Sequence, residues 1–224
     1  MCIRDRYYHV SRTVGSVDDA LMMLGFVTVR TLVISSGLTS GFKTMPGLDL
    51  NKFWRYSMHT AAVSRWLAKT TGNNVDLAFT VGLMHGIGEL VMHAGMPEQM
   101  LQLDKMAGPH DPRRLDMETQ SFGYNFATVG AELARQWKFP PTFADAIAQF
   151  PEPLSQATVN KTAAIIHLAA WRARAEHNGQ SQAEMVSTVP GEVCAAIGLK
   201  TEAFLTDLPP MAELCDGLEL SLIH

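Results

Sequence analysis

The chain has 224 residues, 47% of them apolar, with a formal charge of −4 and a pI near 6.0. That is enough apolar material for one sizeable domain, and the mild acidity supplies no electrostatic footprint for nucleic acid or anionic lipid. Three widely spaced cysteines (Cys2, Cys194, Cys215) without a CxxC pair fit a reducing cytoplasm, and no apolar run reaches the roughly 18 residues of a membrane span.

The first ten residues, MCIRDRYYHV, lack hydrophobic periodicity, and the terminal SLIH arrives at no natural stop, so both ends read as truncation points. Ser16 opens the first helix, with Asp19 three residues on in the manner of a capping box. Val17, Ala20, Leu21 and Leu24 form its stripe, and Gly25 ends it. A second helix from about Val27 completes a pair over residues 16–36 that could serve as a helix-turn-helix. After a Gly/Thr/Pro loop, Asp49 or Asn51 caps a helix over 52–70 carrying Phe53, Trp54, Met58, Ala61, Ala62 and Trp66. His59 falls on the stripe of Ala62, Val63 and Trp66 and is expected to face the core. Asn74 opens the next helix at about Val75.

Residues 81–92, VGLMHGIGELVM, read as one interior helix with apolar residues on more than one side. Glycine inside a helix costs about 1 kcal/mol against alanine, so Gly82, Gly86 and Gly88 point to close packing, expected against the His59 helix. Residues 95–116 hold three prolines and read as a loop with a short helix. A helix over 125–138 buries Phe126, Val129, Leu133 and Trp137, and Pro141 stands at the first position of another, with Phe143, Ile147 and Phe150 on its apolar face. A long helix over 157–176 follows, then short pieces near 190–197, 201–206 and 210–220. Nothing alternates with period two for more than a few residues. The chain reads as all-α and without internal repeats.

His59 and His85 are the two histidines expected inside, with His167 beside the stripe of the later long helix. None has a carboxylate next to it, and two imidazoles leave the charge of a catalytic metal pair uncompensated. Both are therefore read as hydrogen-bonded core histidines, with no metal and no cofactor expected. His93, His110 and Glu89 are expected to be solvated. No P-loop, GxSxG, GxGxxG or nucleophilic cysteine context occurs.

Phe53-Trp54 followed by Ser57 and His59, the GLMHGIGEL stretch, residues 123–130 and Trp137-Lys138-Phe139-Pro140 stand in an order and at separations that resemble the HDOD domain. That family is a non-catalytic relative of the HD phosphohydrolases found in bacterial signalling proteins. The likeness runs from about Tyr7 to Ala170 and implies a single helical bundle of HD-like type, lacking some N-terminal helices, over residues 1–180, with a helical extension over 181–224. It places His59, His85 and Gly86 at remnant HD positions, with Gly86 where an active enzyme has aspartate. Phe126, Gln149, Phe150 and Ala170 stand near the other ligand positions. The resemblance implies no catalytic residue and no metal, and a cytoplasmic regulatory module that acts on a protein partner or a fused signalling domain, without nucleic acid or membrane. The alternatives are a metal-dependent HD phosphohydrolase and a DNA-binding regulator using the 16–36 pair.

Overall fold

The structure is a computed structural model that describes residue 45 and residues 47–216. The 16–36 helix pair and Cys2 lie outside the described residues. Among the described residues every regular element is a helix, apart from one isolated bridge between Met45 and Leu48. The all-α expectation holds.

Helix α1 spans Leu50–Thr70, and the Asp49 carboxylate caps it by accepting from Lys52 N. Helix α2 spans Val75–Met84 behind an Asn74 cap, and α3 spans Ile87–Gly95. Helices α4 (Pro97–Met106) and α5 (Arg114–Phe122) replace the expected loop with its single short helix. Helix α6 (Phe126–Gln136) is capped by Asn125, and α7 (Pro141–Gln149) starts on its proline. Helix α8 runs Lys161–His177 from an Asn160 cap, later than the expected start at 157. Four short helices close the described chain: α9 (Gln182–Thr188), α10 (Gly191–Ala196), α11 (Thr201–Thr206) and α12 (Met211–Leu214). The sequence reading missed α9, although Ser181 and Glu184 form a complete capping box at its start.

The expected continuous helix over 81–92 is broken. His85 and Gly86 form a turn, and Gly86, at φ −91° and ψ 3°, becomes the residue before α3, its carbonyl accepting from Glu89 N at 2.9 Å. A residue without Cβ meets little resistance to leaving helical ψ at that point. The whole stretch Val75–Gly95 is long and apolar enough to cross a membrane by length and composition, contrary to the sequence reading, but 72% of its apolar window is buried inside the fold. That is the signature of a core helix pair in a globular bundle.

Two apolar clusters share α1 and α8. The first gathers Phe53 and Trp54 with side chains of α3, α6 and α7, including Leu90, Phe126, Phe143 and Ile147. The second sets Val63 and Leu67 against Ile165 and Leu168, and residues of the C-terminal stretch (Cys194, Phe204, Met211, Cys215) pack on the same side. Burying one such side chain contributes about 1.5–3 kcal/mol, so this seam holds α1 and α8 firmly in place. Cys194 and Cys215 are buried and unbonded to each other, as small core residues.

The glycines of the central stretch serve two neighbours. A Cβ on Gly82 would lie 2.9 Å from Ala61 Cα, so α2 does press on α1 as expected. Gly88 faces the other way: a Cβ there would overlap the Phe126 carbonyl oxygen and come 2.7 Å from Gly130 N on α6. The expectation that Gly88 packs on the His59 helix is thus corrected.

Candidate functional site

Helices α1, α3, α5 and α8 enclose a cavity of about 200 Å³. Phe53 and Tyr56 come from α1, His85, Gly86 and Glu89 from the α2–α3 break and α3, Arg114 and Leu115 from α5, and His167, Ala170 and Arg174 from α8. Phe126, Phe150 and Pro151 complete the wall with Pro109, Asp111 and Pro112. The structure therefore brings together five residues singled out in the sequence at HD-type positions: His85, Gly86, Phe126, Phe150 and Ala170. His59 does not join them. It is half-buried on α1 and is not among the lining residues.

His85 is 1% exposed and its Nδ1–H donates to the Gly82 carbonyl at 2.6 Å. A carbonyl can only accept, so the proton is on Nδ1 and Nε2 keeps its lone pair. The ring is packed by Tyr56 at 5.3 Å and edge-on by Phe150 at 5.4 Å between ring centres. Burial pushes its pKa down to about 4 against the pull of the Gly82 bond, and Arg174 depresses it further. Tyr56 donates its hydroxyl to the Ala170 carbonyl at 3.2 Å, tying α1 to α8, and burial raises it to about 12. His167 is held by a bond from Nδ1 to the Phe150 carbonyl at 2.9 Å, and burial lowers its pKa.

Three expectations of solvation fail here. Glu89 is 5% exposed, and burial raises its pKa to about 8, with Arg114 pulling the opposite way, so it carries a proton at neutral pH. His93 is fully buried and bridges the Glu89 carbonyl (2.8 Å) and the Asp104 carboxylate (3.1 Å). His110 stacks at 4.3 Å on Tyr56 and meets the His177 ring at 4.6 Å, with its pKa lowered to about 4 chiefly by burial and next by His177. The sequence places His93 at a helix end, His110 in a loop and Glu89 as a carboxylate on a helix, where solvation is the default. What covers Glu89 and His93 is α4 and α5, which it did not resolve, and His110, between those two helices, is half-buried against Tyr56 of α1 and His177 of α8.

The polar centre of this wall is Arg114, 1% exposed. Its Nε donates to Glu118 at 2.9 Å, and its Nη1 to Asp104 at 2.6 Å and to the Ala107 carbonyl at 2.9 Å. Glu118, itself fully buried, accepts from Phe126 N at 2.8 Å with its other oxygen. One guanidinium thus fastens α4, α5 and the start of α6. Arg114 is not singled out in the sequence, and Arg174, which reads there as part of the solvated end of its helix, is half-buried on the cavity wall.

The HD superfamily uses imidazoles and carboxylates for a metal pair, and the residues present do not fit one. Among the described residues no three of His, Cys, Asp and Glu converge to hold an ion. Glu89 is protonated, Asp111 is taken by Arg113 at 2.6 Å, and the Arg174 guanidinium lines the same space with no ion pair among the described residues, so a cation entering it meets positive charge.

The titrations give a prediction. Glu89 holds a proton in the folded state that the unfolded chain releases between about pH 4.5 and 8, so its contribution to stability declines as pH rises through that window. His85 and His110 refuse protons that the unfolded chain takes up below about pH 6.5, until pH about 4, so their contribution declines as pH falls from 6.5 to 4. Above 6.5 only Glu89 of these three acts. The urea midpoint should therefore fall between pH 6.5 and 8, by about 1–2 kcal/mol of stability. Glu89→Gln should abolish that decline, and an equal alkaline loss in the variant would assign it to another group.

Comparison with known proteins bears on this fold and cavity. A curated protein of Treponema pallidum (strain Nichols), itself without a described function, is 26% identical over 128 residues, which cover 55% of this chain and 24% of that protein. The chain thus spans about a quarter of the length of that relative. The solved structure of a "Putative phosphohydrolase" from Shewanella amazonensis SB2B is similar, with TM-score 0.68 and 29% identity, covering 93% of this chain and 75% of that one. A "Putative signal transduction protein" from Marinobacter aquaeolei VT8 shares the fold with TM-score 0.65 and 20% identity, over 97% of this chain and 48% of that one. The family model for the HDOD domain matches residues 6–153, about two thirds of the chain. With this match and with a cavity walled by the residues that carried the resemblance, the chain belongs to the HDOD domain family.

Proposed function

We propose that this chain is a non-catalytic regulatory module that passes on a signal by contact with a protein partner or a fused signalling domain. The observation that carries the reading is the chemistry of the cavity at the HD position. It presents two imidazoles, a protonated carboxyl, one carboxylate already bonded to Arg113 and two guanidiniums, where hydrolysis of a phosphoester by metal ions needs carboxylates free to bind the metal. Likeness to a protein described as acting in signal transduction supports the same direction. The acidic net charge supports a protein partner over nucleic acid.

The description of the Shewanella protein favours hydrolysis as a second reading. The two separate in one experiment: purification with iron, manganese or zinc, elemental analysis, and assay against a phosphodiester and nucleotides. The regulatory reading expects no stoichiometric metal and no turnover. One equivalent of metal, with activity lost on His85→Ala, would overturn it.

A second prediction rebuilds the missing carboxylate. A Cβ on Gly86 lies 3.2 Å from Phe53 Cε2, so Gly86→Asp can be accommodated only if that ring shifts. The new carboxyl enters a space lined by the Arg174 guanidinium and should be held there as an anion in place of binding metal. Gly86→Asp is expected to melt lower than wild type, equally with and without manganese. Stabilisation by several degrees on adding manganese would show a latent metal site.

A further inference from the structure

We propose that the cavity is a binding site for a small oxyanion, a phosphate or carboxylate group received by the guanidiniums of Arg114 and Arg174. Arg114 lines the cavity, and three of its contacts are made by Nε and Nη1 alone. Its Nη2 is fully buried and has no hydrogen-bond partner among the described residues. A buried donor on a charged group left in that state is costly, and the large majority of such side-chain atoms in native proteins are satisfied. An acceptor in the cavity would complete the fork by a small shift of the wall, since Nη2 itself has no accessible surface.

Arg174, half-buried on α8, lines the same cavity and makes no ion pair with an acid among the described residues. Its charge is felt by His85, Tyr56, His110 and His167 alike, so it reaches across the space they enclose. The two arginines have different tasks. Asp104 and Glu118 more than offset the charge of Arg114, which leaves it as a directed donor, while Arg174 supplies the positive charge on the cavity side. The acids nearby do not compete. Glu89 is neutral at pH 7 and can itself donate its O–H, and Asp111 is committed to Arg113. A volume of about 200 Å³, below the roughly 300–1,000 Å³ of sites for drug-sized ligands, suits an oxyanion with a short organic stem.

This inference does not depend on the regulatory reading: a module that binds no oxyanion can still act by contact, and one that binds it can lack a partner. The test is calorimetry and thermal melting of the whole chain at pH 7 with inorganic phosphate, with malonate, and with potassium chloride at matched ionic strength. Phosphate or malonate should raise the melting temperature by several degrees at 10–100 times its dissociation constant, with chloride without effect. The stronger of the two identifies the group the site prefers. Arg174→Gln, which breaks no ion pair in the described structure, should melt like wild type in chloride and bind at least about tenfold more weakly. Equal melting in all three salts, or undiminished binding by Arg174→Gln, would overturn the site and leave water as the partner of Arg114 Nη2.

Discussion

Gly88→Val is expected to cost more than about 3 kcal/mol, enough to unfold a domain of ordinary stability. The reason is where the added atoms would go. The first of them would overlap the carbonyl oxygen of Phe126 and come 2.7 Å from the backbone nitrogen of Gly130. Neither is the flexible end of a side chain, so α3 and α6 must separate along their whole contact. Leu90, Phe126, Ala127 and Ala131 would lose neighbours together. Gly86→Ala is the internal comparison, because its Cβ meets only the edge of the Phe53 ring at 3.2 Å, which can give way. It should lose less than about 1 kcal/mol. Gly108→Ala, with open space around it, should lose less still. Chemical denaturation of the three variants checks the order, and a Gly88→Val protein with a near-wild-type midpoint would mean that the α3–α6 contact is looser than described.

Arg114→Met should be comparably damaging, at about 3–5 kcal/mol, because it leaves a fully buried Glu118 carboxyl without its countercharge. The loss is a penalty of stranding, not the net worth of the pair. Removing both partners should therefore be milder than removing one. In Arg114→Met/Glu118→Leu the apolar replacements fill similar volume, and more than half of the single-variant loss should return. The part not recovered belongs to Asp104, which keeps its bond to His93, and to Phe126 N, which loses its acceptor. A double variant as unstable as Arg114→Met would show that the guanidinium acts by joining α4 to α5, through Ala107 and Asp104, and not by compensating Glu118.

The two variants probe different links between residue and function. Gly88 sets how near α3 lies to α6, and so where Gly86 and Glu89 stand on the cavity wall. Arg114 sets how α4 and α5 close over that wall. A change at either is read first as stability, and only through stability as a change in the site.

What the amino-acid sequence determined by itself is the helical architecture and most of its boundaries. Asp49, Asn74, Asn125 and Pro141 act within one turn of where they stand, so their effect is written locally. Periodicity carried the inward faces of α1 and α7, and motif order carried the family and five of the cavity residues. His59 went astray because only Ala62 and Val63 of its stripe are fully buried, while His59 and Trp66 at its two ends are half-buried. Tertiary structure alone decided the chemistry of the cavity. Glu89 and His93 are polar residues whose burial depends on α4 and α5 folding over them, and His110 is brought onto Tyr56 and His177 by the link between those helices; composition there, rich in proline and charge, reads as loop. Arg114 and Arg174 lie sixty positions apart and acquire a shared role only when α5 and α8 face one space. A charged side chain is solvated by default, and only the positions of its neighbours in three dimensions turn it into an interior donor.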